Sequence, residues 1–360
     1  MNILILTSTK GSYNSLRPET EIYISLAKHG YNITIMTNTD GGYQSRFLEY
    51  DIEVIDTSFD KKIDFKLIRK IRKTIKEKDI DIVYATSSKS ISNAVFACAF
   101  IDVKLITYRG TTGGLYRRDP SAYLNALSPS VDGVICVSQA VSNHVIKQTW
   151  PCNKKIITIY KGHKLEWYNQ NKVDLKEFNT DSNNFNITFV ANVRPHKGLI
   201  YLLQAAHKLA KIKDIHILLI GKKISEEPYI SEIENSGMKN RIHITGYRND
   251  APDIISACDV LVHASIRKEG LPRVILESLS SGTPVIASSN ESSVEIIEDG
   301  FNGYITPIKD SNAIANKIIS LYNNRDTLLK LSNNTKYIIE NKMAHDTTVK
   351  KYIKYFEALL

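Results

Sequence analysis

Phe189-Val190-Ala191-Asn192-Val193-Arg194-Pro195-His196-Lys197-Gly198-Leu199 is the stretch on which the fold turns. An apolar run ends, a turn carrying Arg194 and Lys197 follows, and a helical pattern begins. Strand, turn and helix in that order are the unit of a parallel sheet with helices on both faces. Two cations at the carboxyl end of a strand, beside a helix N-terminus, form a clamp for a diphosphate, because unpaired N–H groups and the helix dipole add to the side-chain charges. The plain alternative is a solvated basic turn. Outward from this stretch the same alternation runs to both ends of the chain. Strand candidates lie at 2–7, 32–37, 52–55, 81–85, 104–108, 133–137 and 156–159, then at 186–191, 215–220, 241–244, 259–263 and 284–287. The polar tract from Asn169 to Asn184 lacks an apolar period and reads as a linker or domain edge. The expected architecture is therefore α/β: two tandem, Rossmann-like, doubly wound domains. Their interdomain cleft is the expected ligand site, since such sheets bind at the carboxyl ends of their strands.

Two glutamates in the second half sharpen this. In Arg267-Lys268-Glu269-Gly270-Leu271-Pro272-Arg273-Val274-Ile275-Leu276-Glu277, Pro272 reads as the first helical residue, where its missing N–H has no partner to lose. Glu269 then lies on the preceding loop and Glu277 inside the helix, about one and a half turns along at ~3.6 residues per turn. The N–H groups between them face an anion. Two hydroxyl acceptors beside a phosphate nest suit a sugar nucleotide.

A chain of 360 residues, 42% hydrophobic and 24% charged, has the length of two soluble domains. No apolar run approaches the ~20 residues of a membrane span. The opening Met1-Asn2-Ile3-Leu4-Ile5-Leu6-Thr7 reads as a buried strand rather than a signal peptide. Cys98, Cys136, Cys152 and Cys258 show no metal spacing and fit reduced thiols in a cytoplasm. Residues 1–165 carry 23 Lys and Arg against 15 Asp and Glu, whereas residues 166–360 carry 24 against 23. Nearly all of the +9 excess thus belongs to the first half, which points to an anionic partner: membrane, acidic glycolipid or nucleic acid. The segment Lys61–Lys78 holds nine basic and two acidic residues, with Leu67, Ile68, Ile71 and Ile75 at helical spacing. It reads as a helix that packs on the sheet and turns a cationic face, with Arg117 and Arg118, toward anionic lipid.

These motifs recur in a fixed order: Asn192-x-Arg194-Pro195-x-Lys197-Gly198, Thr245-Gly246-Tyr247-Arg248-Asn249-Asp250, Ala257 to Ser265, Glu269-x7-Glu277, and Ser281-Gly282-Thr283-Pro284-Val285-Ile286-Ala287. The series strongly resembles the retaining family 4 glycosyltransferases of the two-domain GT-B fold, specifically over about 186–310 and more weakly before it. The resemblance implies an acceptor domain over 1–167 with a C-terminal helix, about 346–360, packing back on it, and a nucleotide-sugar domain over 168–345. It implies that Arg194 and Lys197 bind the donor diphosphate and stabilise the leaving group. Glu269, with the backbone of Gly270 and Leu271, would hold the donor sugar, Glu277 the ribose, and Gly246-Tyr247-Arg248 the base. Such enzymes use no protein nucleophile. A glycosidase pair is disfavoured, since the cations and the phosphate turn have no use in hydrolysis.

The chain departs from the family pattern in places. Arginine usually follows a glycine directly; here Ala191-Asn192 occupy those places and Arg194 comes two residues later. Where many members carry a histidine after the fifth strand, this chain has Arg109, which fits either an anion ligand or an anchor for the loop 110–114. Ser8-Thr9-Lys10-Gly11-Ser12 has one glycine and is not a nicotinamide fingerprint; Gly11 lets backbone approach a ligand. Asp79-Ile80-Asp81 is spelled like a metal motif of a different fold but precedes a strand, so no metal and no cofactor are expected. The donor expected is a UDP- or GDP-sugar. The partners expected are a glycan or glycolipid acceptor of lipopolysaccharide, O-antigen or capsule assembly and an anionic membrane surface, with no nucleic acid. The place expected is the inner face of the cytoplasmic membrane. A nucleotide-sugar 2-epimerase of the same fold and a non-catalytic sugar-nucleotide-binding subunit are the alternatives.

Overall fold

The structure, a computed structural model, describes residues 1–39, 43–150, 155–168, 171, 173–267 and 269–360. It divides into two compact units, Met1–Gly162 with His345–Leu360, and His163–Ala344. The division thus falls a few residues before the expected 167/168 boundary.

The first unit is built on a seven-stranded sheet: β1 Asn2–Leu6, β2 Asn32–Thr37, β3 Glu53–Asp56, β4 Ile82–Ala85, β5 Lys104–Arg109, β6 Gly133–Cys136 and β7 Lys155–Thr158. All pairings are parallel, in the order β3-β2-β1-β4-β5-β6-β7. The order reverses direction between β1 and β4, which makes a crevice at their carboxyl ends. Ile3, Ile5, Ile35, Ile82 and Ile106 form the buried centre, covered by Ile22, Tyr23 and Leu26 of the helix Tyr13–Lys28. The last helix, His345–Glu357, adds Tyr352, Tyr355 and Phe356 to the same core.

The second unit holds β8 Phe185–Val190, β9 Ile215–Ile220, β10 Ile242–Gly246, β11 Val260–His263, β12 Val285–Ser288 and β13 Gly303–Thr306. Its order is β10-β9-β8-β11-β12-β13, again all parallel, with the reversal between β8 and β11. The strand β13 has no counterpart among the expected strands. It is a half-buried edge strand of four residues that opens on a glycine, so it lacks the continuous apolar run of its neighbours. Gly303 packs where a Cβ would stand 2.2 Å from the Val285 carbonyl oxygen.

The expected linker is corrected in part. Asn169, Gln170 and Lys172 lie outside the described residues. Leu175 and Phe178, on a short 3-10 turn, are buried with Leu218, Ile220 and Ile254 of the second unit. The polar residues of this tract cap turns, and Leu175 and Phe178, with half-buried Val173 packed beside them, anchor it. Cys98, Cys136 and Cys258 are free and buried, and Cys152 lies outside the described residues. Among the described residues no helix is long and apolar enough to cross a membrane.

Candidate active site

The turn after β8 is set by Gly198. Its φ of +72° is the left-handed conformation, and a Cβ there would stand 2.0 Å from the Ala264 carbonyl oxygen at the end of β11. Only glycine allows this approach. Gly198 closes the 3-10 turn Pro195–Lys197 and opens the helix Leu199–Leu209. The loops after β8 and β11 are laced together: Ile266 N donates to His196 O at 2.8 Å, and the Ser265 hydroxyl lies 3.1 Å from the same oxygen.

This lacing brings Lys197 to Glu269. Lys197 Nζ donates to Glu269 Oε1 at 2.7 Å, and the Ser265 hydroxyl lies 2.6 Å from that oxygen. Ser292 Oγ donates to the Glu269 carbonyl at 2.9 Å, and Asn290 Nδ2 to the Ser265 carbonyl at 3.0 Å. Side chain and backbone of Glu269 are therefore both fixed. Glu269 Oε2 has no partner among the described residues. Burial pushes the Glu269 carboxyl up, but His263 when protonated, the Lys197 ammonium and the hydrogen bonds from Lys197 and Ser265 outweigh burial and hold it below the ordinary range. His263 Nε2 lies 3.9 Å from Oε1, buried and without a hydrogen-bond partner among the described residues. Burial drives its pKa down to about 4, so His263 is neutral at pH 7 and Lys197 is the working counter-charge.

Gly270 and Leu271 form the loop expected of them, and among the described residues their backbone N–H groups have no acceptor. The next helix is Arg273–Ser280, with Pro272 as its N-cap in extended conformation. The helix thus begins one residue later than expected. Glu277 lies on its buried face, where Arg273 Nε reaches Oε1 at 3.0 Å. Burial raises the Glu277 pKa, and Arg273 opposes it only in part.

Other expected residues are placed differently. Arg194 is exposed, and its guanidinium pairs with nothing among the described residues. Arg248 forms a fork to Asp250, at 2.8 and 2.6 Å, lies over the Phe178 ring and stands 3.9 Å from Glu177; its Nε and one terminal nitrogen are thus engaged. Tyr247 is exposed, and the cation nearest its ring is Lys222, at 5.2 Å, to which sequence reasoning assigns no role. Lys222 arrives because Gly221 (φ +141°) brings the loop after β9 within a Cβ's reach of the Ala191 carbonyl. In the first unit, Arg109 donates from Nε to Thr111 O at 2.9 Å and from a terminal nitrogen to Gly113 O. It holds its own glycine-rich loop, the structural of its two readings. Gly11 is exposed, just ahead of the helix Tyr13–Lys28. Asp81 accepts from Asn2 N at 2.7 Å, at the amino-terminal edge of the sheet, which is a structural role for that carboxylate.

Sequence comparison covers both units. Residues 20–167 match the model described as Glycosyltransferase Family 4, and residues 170–337 match Glycosyl transferases group 1. The chain belongs to the family 4 glycosyltransferases. An uncharacterized glycosyltransferase of Methanocaldococcus jannaschii is 27% identical over 64% of this chain and 59% of its own length, so the match spans less than two thirds of that relative. The Escherichia coli UDP-Gal:alpha-D-GlcNAc-diphosphoundecaprenol alpha-1,3-galactosyltransferase is 26% identical over 71% of this chain and 70% of its own. The GT-B architecture of the family 4 chain is shared with Anabaena Alr3699/HepE, solved in complex with UDP: the TM-score is 0.82 at 21% identity, over 99% of this chain and 100% of that one.

Proposed function

We propose that this glycosyltransferase is a retaining, metal-independent enzyme that moves a sugar from a nucleoside diphosphate donor to a lipid-linked or cell-surface glycan. The observation that carries the reading is Lys197 paired with Glu269 at 2.7 Å, beside the Gly270 and Leu271 N–H groups, which have no acceptor among the described residues. Lys197 and those N–H groups stabilise charge on the departing diphosphate, and Arg194, free at the rim, adds to them. Glu269 Oε2 accepts from donor-sugar hydroxyls and orients the ring. Glu277 accepts from the ribose. The bond from the anomeric carbon to the β-phosphate oxygen breaks, the acceptor oxygen bonds that carbon on the same face, and its proton passes to the leaving phosphate. The chain's residues contribute orientation and electrostatics rather than a nucleophile.

The names of relatives support a lipid-linked or lipopolysaccharide acceptor. The Escherichia coli relative is named for a diphosphoundecaprenol substrate, and a Rhizobium meliloti relative for lipopolysaccharide core biosynthesis. UDP in the Anabaena structure supports a uridine donor. Work at the inner face of the cytoplasmic membrane fits the basic first unit. The helix Phe65–Glu77 presents exposed Lys66, Arg69, Lys73 and Lys76, next to Phe65 at 83% and Ile63 at 39% exposure. Not all of its charge is available. Lys70 Nζ donates to Asp56 O at 2.7 Å, and Arg72 donates to the Ala97 and Ala99 carbonyls. Arg117 is likewise engaged by the carbonyls of Lys147, Gln148 and Thr149.

A thermal-shift screen of the full chain against UDP-, GDP-, ADP-, dTDP- and CMP-sugars tests the donor, since a ligand that binds only the folded state raises the melting temperature. Stabilisation by a UDP-sugar, followed by transfer with retained anomeric configuration, is the expected result. No stabilisation by any of the five overturns the reading.

A further inference from the structure

Three loops at the carboxyl ends of β8, β9 and β10 meet at Lys222. Its backbone N–H donates to Asn192 Oδ1 at 3.2 Å, and its carbonyl accepts from Val193 N at 2.9 Å. The N–H of Gly221 donates to the Gly246 carbonyl at 2.8 Å. A Cβ on Gly221 (φ +141°) would stand 1.8 Å from the Ala191 carbonyl oxygen, so only glycine lets the loops close this tightly. Ala191 and Asn192, where the chain departs from the family pattern, thus have a use: they fix the point from which the Lys222 side chain starts.

The side chain ends beside an aromatic ring. Lys222 Nζ stands 5.2 Å from the centroid of Tyr247, a residue 48% exposed. Lys222 is itself exposed and has no carboxylate partner among the described residues. Its sequence neighbour Lys223 pairs with Glu226 at 3.6 Å, and Arg248, which follows Tyr247, pairs with Asp250 at 2.6 Å. A free ammonium beside a half-exposed ring, with both backbones pinned at the carboxyl edge of a parallel sheet, suits a planar ligand with a polar edge. Stacking on tyrosine is open to every nucleobase. The ammonium is more selective, because it offers donors only. Uracil and guanine carry a carbonyl oxygen where cytosine and adenine carry an amino group. An ammonium bonds the first pair and opposes the second. The place fits a nucleotide whose diphosphate lies at Lys197. β10 is two strands from β8, roughly 10 Å at ~4.8 Å per strand, and one nucleotide covers that span from diphosphate to base.

We infer that Lys222 selects the base of the donor: the base stacks on Tyr247, and Lys222 turns from the ring to donate to a base carbonyl, so that uracil and guanine are accepted and cytosine and adenine are refused. The inference rests on the glycosyltransferase reading and names the base class of its donor. A cation–π contact at an exposed site is weak enough to be exchanged for this bond. Arg248, the cation that the motif offers for the base, has its Nε and one terminal nitrogen on Asp250 and leaves the role to Lys222.

Calorimetric titration of the full chain with UDP, GDP, CDP and ADP tests this. The four share the diphosphate, so their affinity ratios isolate the base. UDP or GDP is expected to bind roughly tenfold or more tightly than both CDP and ADP, the scale of one charge-assisted hydrogen bond gained against one opposed. Lys222→Met is expected to erase that preference by weakening the keto nucleotide alone, with CDP and ADP affinity and the melting temperature unchanged. Equal weakening of all four by Lys222→Met would put the lysine on the phosphates and overturn the inference. A parent without a keto preference, or a preference that survives Lys222→Met, overturns it as well; tight UDP or GDP binding in these cases leaves the donor reading standing. A Lys222-dependent keto preference in a chain that transfers sugar from neither UDP- nor GDP-sugars would break the glycosyltransferase reading and leave base selection standing. Binding of none of the four overturns both.

Discussion

Glu269 is restrained on one oxygen and open on the other. Lys197 and Ser265 converge on Oε1, while Oε2 has no partner among the described residues. A carboxylate held this way accepts a substrate hydroxyl without first choosing a rotamer. Glu269→Gln keeps the shape and removes the charge that matches Lys197, so kcat is expected to fall roughly 10²-fold or more, the scale of losing one preorganised electrostatic contact. Ser265→Ala is expected to lower kcat about tenfold, with donor KM nearly constant, because it releases the carboxylate without removing it. Steady-state kinetics check both, and a kcat loss matched by unfolding on a thermal melt would count against a role in the site. Gly198→Ala is a different case: the left-handed conformation costs ~1–2 kcal/mol, before the clash with Ala264, so a lowered melting temperature is expected together with lost activity. Lys197 and Glu269 are legible in the sequence because the motif that carries each is local. Ser265 stands inside a motif yet carries no legible role there, since its role exists only once the loops after β8 and β11 meet. Arg109 and Arg248 are legible as cations, but the sequence does not show that two nitrogens of each are already engaged. Their partners, Thr111, Gly113 and Asp250, lie within four residues, and a loop cation can always turn inward.

The strands of both sheets can be read from the chain because parallel strands buried on both faces are continuous apolar runs; β13 escapes because an edge strand buries less. The adjoining strands β9 and β10 carry a pH-sensitive pair. His216 Nδ1 and His243 Nε2 lie 2.9 Å apart with rings stacked. Burial lowers both pKa values, that of His243 to about 4, with His216 adding to the effect on His243 and Arg241 to that on His216. Both are neutral in the folded unit, whereas the unfolded chain takes up protons near pH 6.5. Their contribution is therefore complete above about pH 6.5 and is lost as pH falls toward 4. The melting temperature is expected to drop between pH 7 and pH 4, and His243→Phe should flatten that slope; an unchanged slope would remove the pair as its source. The helix Phe65–Glu77 makes the other prediction at this scale. Arg69→Glu/Lys73→Glu/Lys76→Glu alters residues on its exposed face only. At ~1 kcal/mol per basic residue near an anionic surface, binding to phosphatidylglycerol vesicles is expected to fall more than tenfold, read by sedimentation. Equal sedimentation of variant and parent would refute membrane docking by this face.

The first unit is discontinuous in sequence: the chain leaves it at Gly162 and re-enters at His345. A short amphipathic tail is legible as a helix, yet its partners are set by the fold, some 200 to 330 residues away in the chain. Tyr352 and Phe356 pack edge-on to Tyr84, and the Tyr84 and Tyr352 hydroxyls are 3.0 Å apart. His345 meets Ser25 at 2.9 Å, Glu357 accepts from Tyr31 at 2.8 Å, and Thr348 donates to the Tyr160 carbonyl at 2.8 Å. Tyr352 and Phe356 are each nearly inaccessible, so removing the helix exposes a large aromatic surface of the first sheet; at roughly 25 cal/mol per Å² of apolar area, two buried aromatic rings alone account for several kcal/mol. That is a large fraction of the ~5–15 kcal/mol by which a domain is stable. Residues 1–162 alone are therefore expected to aggregate or to lack a cooperative melt. The same residues joined through a flexible linker to 345–360 are expected to fold, with near-ultraviolet circular dichroism from the tyrosine cluster restored. Cooperative melting of residues 1–162 at the same temperature as the linked form would show that the first sheet folds without the returning helix, and that the helix only covers it.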